Sequence, residues 1–102
     1  YDKTKINLFE IKKGFARGGH YHDYDITHTL ITGKIEHRIE DIETKQEQIS
    51  IVTAPAILEI PAKSANLIIA IEDSVFTEVF SEEYKSTVYD KYRNIVHQKT
   101  NS

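Results

Sequence analysis

Three of the chain's five histidines, His20, His22 and His28, fall within nine residues of one another, inside the segment 14–33, GFARGGHYHDYDITHTLITG. An extended backbone alternates its side chains, so His20 and His22 share one face of a strand over residues 17–22 while Tyr21 takes the other. Two neutral imidazoles in one pocket suit two chemistries, ligation of a transition metal or acid–base transfer near neutral pH. Gly18 and Gly19 precede the pair, and they let the chain bend or let another group approach where a larger residue would block it. Packing alone explains this arrangement poorly, and we read His20 and His22 as functional.

The elements that position them follow from parity. Residues 26–31 are rich in β-branched side chains and end at the turn residue Gly33. With Ile26 and Leu30 turned to the core, His28 faces it too. On the next strand, residues 34–42, Ile35, His37 and Ile39 share one face while Glu36, Arg38 and Glu40 form a charged face expected to be exposed. Taken alone, His37 reads as an ordinary core histidine. In the strand over 75–80, alternation groups Phe76, Glu78 and Phe80. A buried carboxylate is costly unless paired or metal-bound, so Glu78 either points outward or enters the histidine-lined pocket.

Further strands are expected over residues 3–11, 48–52, 56–60 and 67–71, with turns at 12–14, 43–48, 61–64 and 72–74. This many short strands imply an all-β sandwich or small barrel. From 86 to 97 the period changes to about 3.6, with Val88, Tyr92, Ile95 and Val96 in one stripe. Thr87 with Asp90 resembles an N-cap and its acidic partner, so a short helix is expected to dock on the sheet or on a neighbouring subunit, with 98–102 frayed. Tyr84, Tyr89 and Tyr92 read as packing or interface residues. Asp23 and Asp25 read as turn residues, and Leu67, Ile69 and Ile71 as an outer apolar series suited to a dimer surface.

Composition narrows the functions. At 102 residues the chain supports one domain. A net charge of −3 with scattered Lys and Arg argues against a nucleic-acid partner. No apolar run approaches the roughly 20 residues of a membrane span, so no membrane partner is expected. Without cysteine there is no disulfide, thiolate nucleophile or Cys-based metal site. A cytoplasmic location is expected. The chain starts at Tyr1 without Met or a signal-peptide pattern, which leaves room for a trimmed upstream segment.

GGHYHDYDITHTLITG resembles the first sequence motif of the cupins, where a Gly precedes a His-x-His pair, a Glu follows and a Gly closes the segment. IPAKSANLII resembles the second, where a Pro-x-Gly turn precedes a His. The resemblance covers roughly residues 6–81. It implies a cupin-type double-stranded β-helix, a jelly-roll barrel, with a C-terminal helix at about 86–97, as a single domain over 1–102. The run ARGGHYH is most similar to small sugar-nucleotide ketoisomerase and epimerase cupins and to carbohydrate-biosynthesis cupins. Such relatives commonly pair, so a homodimer is implied.

Three positions depart from the motifs: Ile26 holds the place of the Glu, Lys63 that of the Gly, and Asn66 that of the second-motif His. Two of the four usual metal ligands are therefore missing. Either His28 and Glu78 join His20 and His22 around a divalent Zn, Fe, Mn or Ni, or the pocket does acid–base work without a metal. Three functions stay open. One is a sugar isomerase or epimerase, with His20 or His22 as base, Tyr24 or the other His as acid, and Arg17 holding an anionic phosphate. Against it, no second basic cluster stands near Arg17. Another is a metal-dependent cupin with oxygenase, lyase or isomerase chemistry. The last is a binding module that holds a small carbohydrate-like ligand against His37, Asn66 and the other pocket residues without turnover.

Overall fold

The computed structural model describes the backbone of residues 4–81 and 86–100 and the side chains of 6–79 and 86–99. Tyr84 lies outside the described residues. Alternating apolar and polar positions become strands: β1 Thr4–Ile11, β2 Ala16–Tyr21, β3 Ile26–Thr32, β4 Lys34–Asp41, β5 Glu47–Thr53, β6 Ala56–Ile60, β7 Ser64–Ala70 and β8 Ser74–Ser81. A two-residue strand, β9 Thr87–Val88, leads into helix α1, Asp90–Thr100.

The strands form two antiparallel sheets, ordered β1-β8-β3-β6 and β5-β4-β7-β2-β9. Their partners nest: β1 with β8, β2 with β7, β3 with β6 and β8, β4 with β5 and β7. That is the jelly-roll pattern expected from the sequence. Between the sheets lies one apolar core of Ile11, Ile26, Leu30, Ile35, Leu58, Ile60, Ile68, Ala70 and Phe76. Each fully buried branched or aromatic side chain there contributes about 1.5–3 kcal/mol relative to exposure. Among the described residues no helix is long and apolar enough to cross a membrane.

The two outer faces differ. On the second sheet, α1 lies across β2 and β7 and buries Ala16, Ala65, Leu67, Tyr92 and Val96 in a second cluster. On the first, Ile6, Leu8, Ile57 and Val79 stand exposed.

Three expectations change here. Leu67 is fully buried beneath the chain's own helix, so the Leu67, Ile69 and Ile71 series is no open dimer surface. The helix starts at Asp90 rather than near residue 86, because Thr87 and Val88 extend to pair with Tyr21 and His20 at the free edge of β2. The first helical turn closes on Tyr89, whose carbonyl accepts from the amides of Tyr92 and Arg93. Glu40 is buried rather than exposed, since that turn folds over it: the Tyr89 hydroxyl and the Lys91 ammonium both donate to its carboxylate. Burial alone would push the Glu40 carboxyl up, but these bonds and the charge of Lys91 overcome it and hold it below its ordinary value. Beside it, the Tyr92 hydroxyl donates to Glu47 at 2.6 Å.

Candidate functional site

The polar half of the barrel interior is built by register. On β3, Ile26, His28 and Leu30 are all buried, as parity requires. His28 pairs across to Glu78 on β8, and its Nε2 lies 3.1 Å from a Glu78 carboxylate oxygen. Of the alternatives for Glu78, its carboxylate turns to His28 rather than outward. The His28 ring stacks on Phe76, with centroids 5.4 Å apart and planes within 14°, and Phe76 stacks in turn on Phe9 at 5.3 Å. An aromatic column thus fixes the imidazole that the carboxylate addresses.

The second sheet supplies the opposing wall. Asn66 on β7 stands between Ile39 of β4 and His20 of β2. One step along, His37 lies opposite Ile68. Both Asn66 and His37 are buried. Asn66 and the His37 side chain are hydrogen-bonding neighbours on this wall, while across from them the buried Nδ1 of His28 has no hydrogen-bond partner among the described residues, which invites a ligand or water. His22 follows β2 directly and is buried, its ring centroid 5.4 Å from that of Tyr24. The turn after β6 is tied to this connection: the Lys63 amide donates to the His22 carbonyl at 2.6 Å, and the Ala62 amide to Asp25 at 2.9 Å. Asp25 is thus the turn residue expected. Beside the same turn, a cleft of about 520 Å³ runs from Pro61 to Ile39 and Gln48.

Burial favours the neutral form of His20, His22 and His37. Burial, then the charge of Arg93, lowers the pKa of His20. Burial also lowers that of His22, against the opposing pull of the Glu78 carboxylate. His37, deepest in the wall, is pushed down to about 4, chiefly by burial and then by His28. His22 therefore senses Glu78, His20 and His28 together.

The glycine pair has a different use from the one its position suggested. A Cβ on Gly18 would meet the Asn66 carbonyl oxygen at 2.5 Å, and one on Gly19 would meet Arg93 Cδ at 2.6 Å. Both residues also hold positive φ, at 107° and 87°, where β2 bulges between Gly18 and His20. What approaches the backbone is β7 at Gly18 and α1 at Gly19. Arg93 Nη1 donates to the Gly18 carbonyl at 2.9 Å, and the Tyr89 amide to the Gly19 carbonyl at 2.8 Å. Arg17 is exposed at the edge of β2, its guanidinium 4.3 Å over the Phe9 ring.

The residues present do not fit the cupin metal site. Ile26, in the place of the motif Glu, is sealed in the core, and Glu78 is engaged with His28. Among the described residues no three His, Asp or Glu side chains gather where they could hold a metal ion. The expected His20, His22, His28 and Glu78 set shares one electrostatic neighbourhood without forming a coordination shell.

No family model matches the sequence, and no curated protein matches it. Solved structures do. Over 82% of this chain and 46% of the other, it is similar to RmlC from Streptococcus suis in complex with dTDP-D-xylose, at 17% identity and a TM-score of 0.69. A dTDP-4-dehydrorhamnose 3,5-epimerase from Sulfolobus tokodaii matches at 22% identity and a TM-score of 0.68, over 79% of this chain and 53% of its own. The Mn(II)-containing oxalate decarboxylase of Bacillus subtilis matches at 16% identity and a TM-score of 0.74, over 98% of this chain and 29% of its own. The fold is that of the cupins. At these identities the likeness carries the fold alone, and the chain spans about half or less of the length of these proteins.

Within this cupin barrel, one functional candidate was missed. Arg93 stands 76 positions after Arg17 and on the polar side of a helix, where no motif marks it; only the docking of α1 on Gly18 and Gly19 brings it beside His20.

Proposed function

We propose that the barrel interior binds a small carbohydrate-like molecule and moves a proton beside its carbonyl by acid–base chemistry, in the manner of an isomerase or epimerase. The observation that supports this reading is the buried His28–Glu78 pair at 3.1 Å, whose carboxylate charge also reaches His20 and His22. A neutral imidazole at His20 or His22 accepts the proton, and Tyr24 or the second imidazole returns it. Asn66 and His37, buried polar side chains of the opposing wall, hold substrate hydroxyls. No step is routed through a metal, because the donors do not form a shell.

Solvent exchange tests it directly. Candidate aldoses, ketoses and dTDP-sugars are incubated with the protein in D2O, and deuterium entry beside the carbonyl is followed by NMR. His20→Asn or His22→Asn is expected to slow exchange by about 10²–10⁴-fold. Near-stoichiometric metal in the purified protein, with exchange lost on chelation, replaces this reading by a metal-dependent one. Binding without exchange for every compound leaves a ligand-binding module.

We further propose a cytoplasmic homodimer without nucleic-acid or membrane partners. With the Leu67 face closed by α1, the exposed Ile6, Leu8 and Ile57 face supports this pairing. Light scattering on the eluted protein checks it, and a monomeric mass at working concentration refutes it.

A further inference from the structure

Short strands, prolines and charges keep a free sheet edge from pairing with another chain. The edge strands β9, β6 and β1 use these devices. β9 is two residues long and runs into α1, β6 is held between Pro55 and Pro61, and β1 carries Lys5 and Glu10. β5 is different. Over Glu47–Thr53 it has seven residues, no Pro, Lys or Arg, and β4 as its one ladder neighbour among the described residues. Ile49 and Ile51 stand on its outer face, each more than half exposed.

Two backbone bonds fix which way its peptide groups point. At one end of the β4–β5 pair the Asp41 amide donates to the Gln46 carbonyl at 3.0 Å, and at the other the Ala54 amide donates to the Gly33 carbonyl at 3.0 Å. Antiparallel ladders alternate hydrogen-bonded and non-bonded pairs, and both ends give the same phase. Gln48, Ser50 and Val52 therefore bond to β4, while Glu47, Ile49, Ile51 and Thr53 turn their N–H and C=O groups to the open edge. β4 keeps the complementary phase, since the Ile71 amide donates to the Lys34 carbonyl on its other side at 2.9 Å.

The outward groups match a second set of themselves. A two-fold axis at Ser50 sets Ile49 opposite the partner's Ile51, Gln48 opposite the partner's Val52 and Glu47 opposite the partner's Thr53. Every outward N–H then meets an outward C=O, and apolar side chains meet apolar ones. A slip of one residue would match outward groups with inward ones. A slip of two sets the Glu47 carboxylate against Ile51, or Glu47 against Pro55, which has no N–H to give.

From this phase we propose that β5 pairs with β5 of a second copy, antiparallel about Ser50, joining the two five-stranded sheets into one. The pairing uses up the open edge and closes as a dimer. It also bears on the cleft of about 520 Å³ beside Ile39 and Gln48, because Gln48 gains the partner's Val52 as its neighbour. The proposal rests neither on the proton-transfer reading nor on the exposed face of the first sheet.

The test combines cross-linking with sedimentation of the purified protein. The chain has no native cysteine, so a disulfide reports only an introduced one. Ser50→Cys treated with oxidised glutathione is expected to run as a linked dimer on non-reducing gels. A non-bonded antiparallel pair holds its Cα atoms about 4.5 Å apart, within the span a disulfide bridges. Thr53→Cys, whose mate is Glu47, is expected to remain unlinked under the same conditions. Ile49→Lys combined with Ile51→Lys puts like charges opposite each other on a face that is already exposed. It is expected to raise the dimer dissociation constant at least about tenfold, with the circular dichroism spectrum unchanged. A wild-type protein that sediments as a monomer up to millimolar concentration overturns the proposal, as does equal linking of Thr53→Cys and Ser50→Cys. Leu8→Lys separates this pairing from one through the first sheet. A dimer that Leu8→Lys dissociates and the double isoleucine variant leaves intact overturns the edge pairing, and the reverse result supports it.

Discussion

His28 and His37 are buried almost equally, at 4% and 5% exposure, on consecutive strands that face each other across the barrel. Their surroundings are opposite. Register sets Glu78 beside His28 and an aromatic stack beneath it, while it sets Ile68 and Ser50 beside His37. Burial depresses the pKa of His37, whereas a carboxylate of the first sheet stands against His28. One residue type at one depth thus becomes a carboxylate-paired group on the first sheet and a neutral wall residue on the second. Pocket chemistry in this fold is decided by the cross-strand neighbour more than by depth.

The largest expected break in this contrast is Phe76→Ala, which removes the ring under His28 and opens a cavity in the core. A loss of about 3–5 kcal/mol is expected in chemical denaturation. Next comes acid. Because the folded-state pKa of His37 is depressed from 6.5 to about 4, the unfolded chain binds the proton first. Stability should therefore fall as pH drops through that window, by about 3 kcal/mol at most. His37→Leu should flatten that slope, and an unchanged slope in the variant would remove His37 as its source. Glu78→Gln sharpens the contrast more finely. It takes away the charge that holds the His22 pKa up, so histidine NMR titration should show His22 shifted further down and His37 unmoved. Smallest is Tyr92→Phe on the far side of the second sheet, where loss of the Glu47 bond should cost about 1 kcal/mol and leave both histidine titrations unchanged.

Much of the interior was legible because strand parity is local. The buried Ile26, His28 and Leu30, and the shared face of Ile35, His37 and Ile39, follow from a two-residue period alone. Glu78 was legible as an alternative, since parity put it among phenylalanines but could not say which face turned inward. What could not be read depends on contacts between distant segments. Glu40 looks like one of three alternating surface charges until Tyr89 and Lys91 close over it. Thr87 reads as an N-cap and Val88 fits a helical stripe, yet the open edge of β2 offered them a ladder. The glycine pair advertised a close approach without naming the visitors, which are strand β7 at Gly18 and helix α1 at Gly19.

The nested pairing of the strands also orders events in time. Of the sheet partnerships, β4–β5 joins near neighbours through a short hairpin. β1 must await β8, and β2 must await β7. On a ribosome the first strand, with Phe9 and Ile11 in it, therefore emerges long before anything exists to cover it. Neither β1 nor β2 can complete its ladder until β8 and β7 have been made. Nearly all of the barrel's closing contacts are distant in sequence, so folding is expected to be slow for a domain of this length. A holdase or translation-coupled partner that shields residues 4–11 would then raise the yield of folded protein more than one that binds the C-terminal helix.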